Sequence, residues 1–134
     1  MKIIVNKTGV KRKFITDLKK FLFQLFPSIS KNLEIIFVSD TTMRRYNKKF
    51  AGKSSTTDVL SFNVEETPIV IISVDTAKKN AIFYGEHFED EMVRYIVHGI
   101  LHLVGFDHKI ESKSSLMKNK EDEIIGRWKK FRYS

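Results

Sequence analysis

The chain has no cysteine, and only two prolines, six glycines and four histidines occur in its 134 residues. Without thiols there is no disulfide framework, no disulfide-linked partner and no thiolate ligand for zinc, so any metal ion must be held by imidazole or carboxylate. No stretch approaches the roughly 18 consecutive apolar residues that span a bilayer, and no apolar leader with a small-residue cleavage site opens the chain. Neither a membrane partner nor export is expected, and a cytoplasmic location fits. Repeats, low-complexity tracts and Pro/Gly-rich linkers are also missing, and 134 residues suit a single domain over 1–134.

What is present is apolar material and positive charge. A hydrophobic content of 42%, including 11 Phe, is enough to build a core, and 24 basic against 16 acidic residues leave a net charge of +8. That balance favours a polyanionic partner such as RNA. The excess is sharpest in residues 41–53, which carry Arg44, Arg45, Lys48, Lys49 and Lys53 and no acid. A phosphate-binding surface and a merely solvated helix face both account for such a segment.

Periodicity divides the chain into alternating strands and helices. Lys2 to Asn6 and Leu33 to Ser39 read as strands; between them Val10, Phe14, Leu18, Phe21, Leu22 and Leu25 recur at helical spacing until Pro27 stops the run. Asp40 or Thr41 can cap a helix whose inner stripe is Met43, Tyr46 and Phe50, followed by a polar loop over 52–57. Asp58 to Val64 and Ile69 to Val74 are strands joined by a turn at 65–68, close enough to pair antiparallel, whereas helical connections elsewhere favour parallel neighbours. Ser73 or Asp75 opens a helix that Gly85 ends, Glu89 to Val104 forms a long and largely apolar helix, and residues 112–132 form a last one. The expected fold class is therefore α+β, with one small mixed sheet of about four strands and about five helices, the apolar helix at its centre.

That central helix carries the chemistry. His98 and His102 are four residues apart, so a rotation of about 100° per residue puts both imidazoles on one face. Gly105 can end the helix with positive φ and bring His108 towards them, completing H-x-x-x-H-x-x-G-x-x-H. Three neutral imidazoles leave the fourth tetrahedral position of a zinc ion open to water, the arrangement of catalytic zinc. His98, His102 and His108 are the expected metal ligands, for one divalent ion with Zn²⁺ the foremost choice. The same frame holds zinc in metzincin peptidases, but those place a general-base Glu after the first His, where this chain has Gly99. Beyond a water on the ion, no catalytic group can be assigned, and Asp107 reads as a turn residue or a partner of a ligand. His87, among Glu86, Glu89 and Asp90, reads as a solvated loop residue.

His98 to His108, read as H-G-I-L-H-L-V-G-F-D-H, together with Thr57 to Phe62, read as T-D-V-L-S-F, resemble the two signature blocks of the YbeY-type endoribonucleases of bacteria, and the resemblance runs over nearly the whole chain. It implies single-strand-specific, metal-dependent RNA cleavage in ribosomal RNA maturation and ribosome quality control, with RNA and the ribosome as partners. Two departures stand out: the family's Tyr-Arg before the loop is Phe50-Ala51 here, and its Gly-Asp opening the fourth strand is Pro68-Ile69. With the Arg lost, either Arg45, Lys48 or Lys53 supplies a cation in its place or the protein is a slow nuclease that serves chiefly as a binder. Two other readings stay open, an RNA-binding assembly factor with a structural zinc and a peptidase-like zinc hydrolase.

Overall fold

A computed structural model describes residues 1–53, 55, 57–106 and 111–134, with the backbone alone described at 111–114. The elements run β1 (Lys2–Val5), α1 (Arg12–Leu25), α2 (Pro27–Ser30), β2 (Glu34–Val38), α3 (Asp40–Ala51), β3 (Val59–Val64), β4 (Thr67–Ser73), α4 (Val74–Tyr84), α5 (Phe88–Leu103) and α6 (Glu111–Tyr133). The sheet has the order β1-β2-β4-β3, with β1, β2 and β4 parallel and β3 antiparallel to β4, so it is mixed as the connection lengths predict.

Alternation along the two central strands sorts the core into two layers. Ile35 and Phe37 of β2 with Val70 and Ile72 of β4 face the larger layer, where Phe14, Leu18 and Leu22 of α1 meet Met92, Val93, Ile96 and Ile100 of α5 and Trp128 of α6. Their neighbours Ile36, Val38 and Ile71 face the other side, where Met43 of α3 packs on them. Consequently α5 and α3 lie on opposite faces of the sheet. Trp128 is fully buried, its ring edge-on to Phe14 and Phe21 at centroid distances of 6.0 and 5.3 Å, and its indole N–H donates to Asp90 at 2.8 Å. A buried carboxylate that also accepts from Tyr133 at 2.9 Å thereby ties α6 to the first turn of α5.

Several boundaries differ from the sequence expectation. α1 stops at Leu25, before Pro27 as expected, but a second helix begins at once, with Pro27 in the first turn of the short α2, where a missing N–H costs nothing. With α2 the described helices number six rather than about five. Ser39, not Asp40 or Thr41, caps α3, its hydroxyl accepting from Thr42 N–H at 3.2 Å. Asp40 is drawn instead into a polar cluster with Ser73 at the end of β4 and Thr76 and Lys79 of α4. Burial would raise the Asp40 carboxyl, but the hydrogen bonds from Ser73 and Thr76 and the Lys79 ammonium prevail and hold it at about 2. The turn after β3 is two residues long, with Glu65 at φ 55°, and Thr67 and Pro68 already belong to β4. Pro68 is tolerated because the pairing of β2 with β4 begins one residue later, at Ile69.

Candidate active site

Helix α5 ends as its sequence requires. Val104 is the last residue near helical geometry, Gly105 follows at φ 108°, its N–H bonds to His102 C=O at 3.2 Å, and Phe106 N–H reaches back to Leu101 C=O at 3.0 Å. This pair of bonds is the Schellman arrangement, and only glycine takes that φ without strain. The last turn so closed carries His102, and His98 stands one turn earlier on the same helical face. His98 is partly buried and His102 exposed. The third expected ligand, His108, lies outside the described residues, as does Asp107, and among the described residues no three His, Asp or Glu side chains converge as a metal site.

The structure adds a partner that the sequence reading missed. Glu121 of α6 places Oε2 at 3.0 Å from His98 Nδ1, and its other oxygen is 3.3 Å from Arg94, which also pairs with Asp122 at 3.0 Å. The Glu121 carboxylate raises His98 above the ordinary imidazole value, against the opposite effect of burial, and the Asp58 charge adds a smaller contribution in the same direction. A carboxylate on Nδ1 selects the tautomer in which Nε2 is the unprotonated nitrogen, as in the carboxylate–imidazole–metal arrangement of zinc sites. A signal for Glu121 was available. It follows Met117 by four residues and precedes Ile124 and Trp128 by three and seven, which puts a charged residue on the inward stripe of α6. Asp90 and Glu91 are likewise buried on α5, and burial raises the Glu91 carboxyl.

Gly99 separates two of the competing chemistries. A Cβ there would lie 3.1 and 3.2 Å from the Val70 methyls and 3.3 Å from Ser61 Cβ, so the glutamate that serves peptidases at this position would require these neighbours to give by a few tenths of an ångström. Gly99 allows this close approach of α5 to the sheet, and the base that the peptidase-like reading needs is absent from this position.

The basic segment does not join this site on the same face. Arg44, Arg45, Lys48 and Lys49 are carried by α3, across the sheet from α5, because Ser61 of β3 faces α5 while Leu60 and Phe62 face the α3 layer. β3 is the edge strand of the sheet, and the connection that leads to it from α3 includes Lys53, Ser55 and Asp58. Buried Asn47 fastens that connection by donating to Ser55 C=O at 2.7 Å, and Lys53 N–H bonds to Asn47 C=O at 3.3 Å. Asp58, at the far end, accepts from Val59 N–H at 2.8 Å and is near enough for its charge to act on His98. Ala51 ends α3 and is exposed, as is Lys53 beyond it. His87 is exposed as expected, though it serves as the N-cap residue of α5 with its ring 5.8 Å from that of Tyr133.

Comparison with known proteins agrees with this fold. Residues 3–129 match the sequence profile of the family described as Endoribonuclease YbeY. Proteins of that name include one from Nautilia profundicola, 41% identical over 100 residues covering 71% of this chain and 70% of the relative. Another, from Persephonella marina, is 31% identical over 92% of this chain and 90% of its own length, and one from Helicobacter pylori is 37% identical over 91% and 87%. The solution structure of TM1509 from Thermotoga maritima superimposes with a TM-score of 0.63 at 25% identity, covering 97% of this chain and 93% of that one. A profile match over nearly the whole length, with relatives of this identity and coverage, means that the chain belongs to the YbeY endoribonuclease family.

Proposed function

We propose that this protein is a metal-dependent endoribonuclease that cleaves single-stranded ribosomal RNA during maturation and quality control of the ribosome, in the cytoplasm, as one hydrolase domain over 1–134. The observation that carries the metal dependence is the His98–Glu121 pair at 3.0 Å, which leaves Nε2 as the unprotonated nitrogen on the helical face shared with His102. The donor set is nitrogen with no thiolate available, and it suits zinc with an open position, His108 being the third ligand. A divalent ion held there polarises a phosphoryl oxygen and lowers the pKa of a bound water, the chemistry that phosphodiester hydrolysis needs.

The chain's own residues do the rest. Glu121 orients His98, Arg94 holds Glu121, and the Gly105 cap fixes the direction in which the chain leaves His102. Arg44, Arg45, Lys48 and Lys49 hold backbone phosphates, and exposed Lys53, between α3 and Asp58 in the chain, supplies a further cation for the strand. The test is cleavage of an end-labelled single-stranded RNA and of its duplex, with and without a chelator, while circular dichroism follows the fold. Cleavage of the single strand that chelation abolishes without unfolding is expected. Binding without cleavage under every metal supplied would instead make the protein an assembly factor with a structural ion.

A further inference from the structure

Three aromatic rings meet where α3 ends against the edge strand. Tyr46 and Phe50 stack at 5.9 Å between centroids with 15° between planes, and Phe50 and Phe62 stack at 4.5 Å and 26°. Beneath them the Ile36, Val38, Met43 and Ile71 layer is covered in part by Tyr46 and Phe62, and Phe50, stacked on Phe62, leaves 44% of its surface in solvent. An aromatic ring nearly half in solvent, held nearly parallel to two others, presents apolar surface on the outside.

Its surroundings are cationic. The Lys49 ammonium lies 5.3 Å from the Phe50 ring centroid, and a shallow cleft of about 240 Å³ beside the rings is lined by Thr42, Arg45, Tyr46 and Lys49. A second cleft, of about 250 Å³, adjoins it between Thr41, Arg44, Arg45 and Lys48. Among the described residues none of these four cations pairs with a carboxylate, whereas Lys118, Lys120, Arg127, Lys129 and Arg132 of α6 all do. Positive charge left unneutralised around stacked rings fits a ligand that is flat and apolar on one side and anionic on the other.

We propose that Tyr46, Phe50 and Phe62 form a stacking subsite for an unpaired nucleobase, with Lys49 and Arg45 on the adjoining phosphates. Resting on the RNA reading given above, it supplies a physical origin for single-strand preference: a base inside a duplex has no free face to offer, whereas one in a single strand does, and stacking accepts any base. The subsite lies across the sheet from His98, so it grips the strand at a distance from the cut and acts on affinity rather than on the chemical step.

The experiment compares binding of a fluorescently labelled oligouridylate, its abasic ribose-phosphate counterpart and an RNA duplex to the full chain, to Phe50→Leu and to Phe50→Trp, with circular dichroism on each. Leucine keeps apolar bulk and removes the π face. It is expected to weaken oligouridylate binding about fivefold or more and to leave abasic and duplex binding within twofold, whereas the Phe50→Trp protein keeps affinity and the emission of its introduced indole is quenched by unlabelled oligouridylate. Equal affinity of Phe50→Leu and parent for oligouridylate, an equal loss on the abasic strand, or Phe50→Trp emission blind to the oligomer overturns the subsite. A parent that binds no oligouridylate sinks the RNA reading as well, which separates the two failures.

Discussion

Replacing Glu121 with Ala tests the site at the contact that joins α6 to the histidine face of α5. The carboxylate has two partners, His98 Nδ1 at 3.0 Å and Arg94 at 3.3 Å, and its side chain is only 13% exposed. Arg94 keeps Asp122 at 3.0 Å in the variant, so the guanidinium is not stranded, and the fold should lose no more than about 1–2 kcal/mol. For His98 the consequence is different in kind. Once the Glu121 carboxylate no longer holds Nδ1, the ring can rotate and exchange tautomers, and loss of a partner of this kind typically weakens metal binding about 10- to 100-fold, or about 1.4–2.7 kcal/mol. Zinc affinity measured by competition with a chromophoric chelator is the assay, paired with thermal unfolding of the metal-free protein. Glu121→Gln should fall between parent and Ala, because its amide oxygen still accepts from Nδ1–H. Zinc affinity unchanged within twofold in a folded Glu121→Ala protein would refute the orienting role.

Asp40 gives a pH signature. Its carboxyl is held at about 2 in the folded protein, below the usual carboxylate value, so its contribution is complete above about pH 4 and is lost as the pH falls towards 2. Asp40→Asn should cost about 1–2 kcal/mol near neutrality, since Lys79 is largely exposed and adds little, and the gap from parent should close at pH 2 in urea titrations. Lys53→Ala should slow single-turnover RNA cleavage at least about tenfold, roughly 1.4 kcal/mol of barrier, with Ala51→Arg changing the parent little; a silent Lys53→Ala beside a much faster Ala51→Arg would show that no residue replaces the family's arginine. Reversing the charges of Arg44, Arg45, Lys48 and Lys49 together should flatten the fall of log K with log salt for single-stranded RNA while thermal unfolding stays close to parent. An unaltered salt slope would move the phosphate contacts to another surface.

The strands, the long helices and the central place of α5 were legible from periodicity because one face of each element is apolar and the other is not. The end of α5 was legible too, since Gly105 stands where a helix carrying His98 and His102 needs positive φ. Local pattern failed where a distant group competed for a side chain. Asp40 resembles an N-cap in sequence, yet Ser73 and Thr76 claim its carboxylate and Ser39 takes over the cap. The spacing of Glu121 from Met117, Ile124 and Trp128 turns it inward, but only the packing of α6 on α5 delivers it to His98, and Asp90 to Trp128. The sequence by itself determined which residue types could hold an ion and where positive charge accumulates. Tertiary structure alone decided that these features lie on opposite faces of the sheet, because a strand's side chains alternate and Ser61 and Phe62, adjacent in the chain, face different layers.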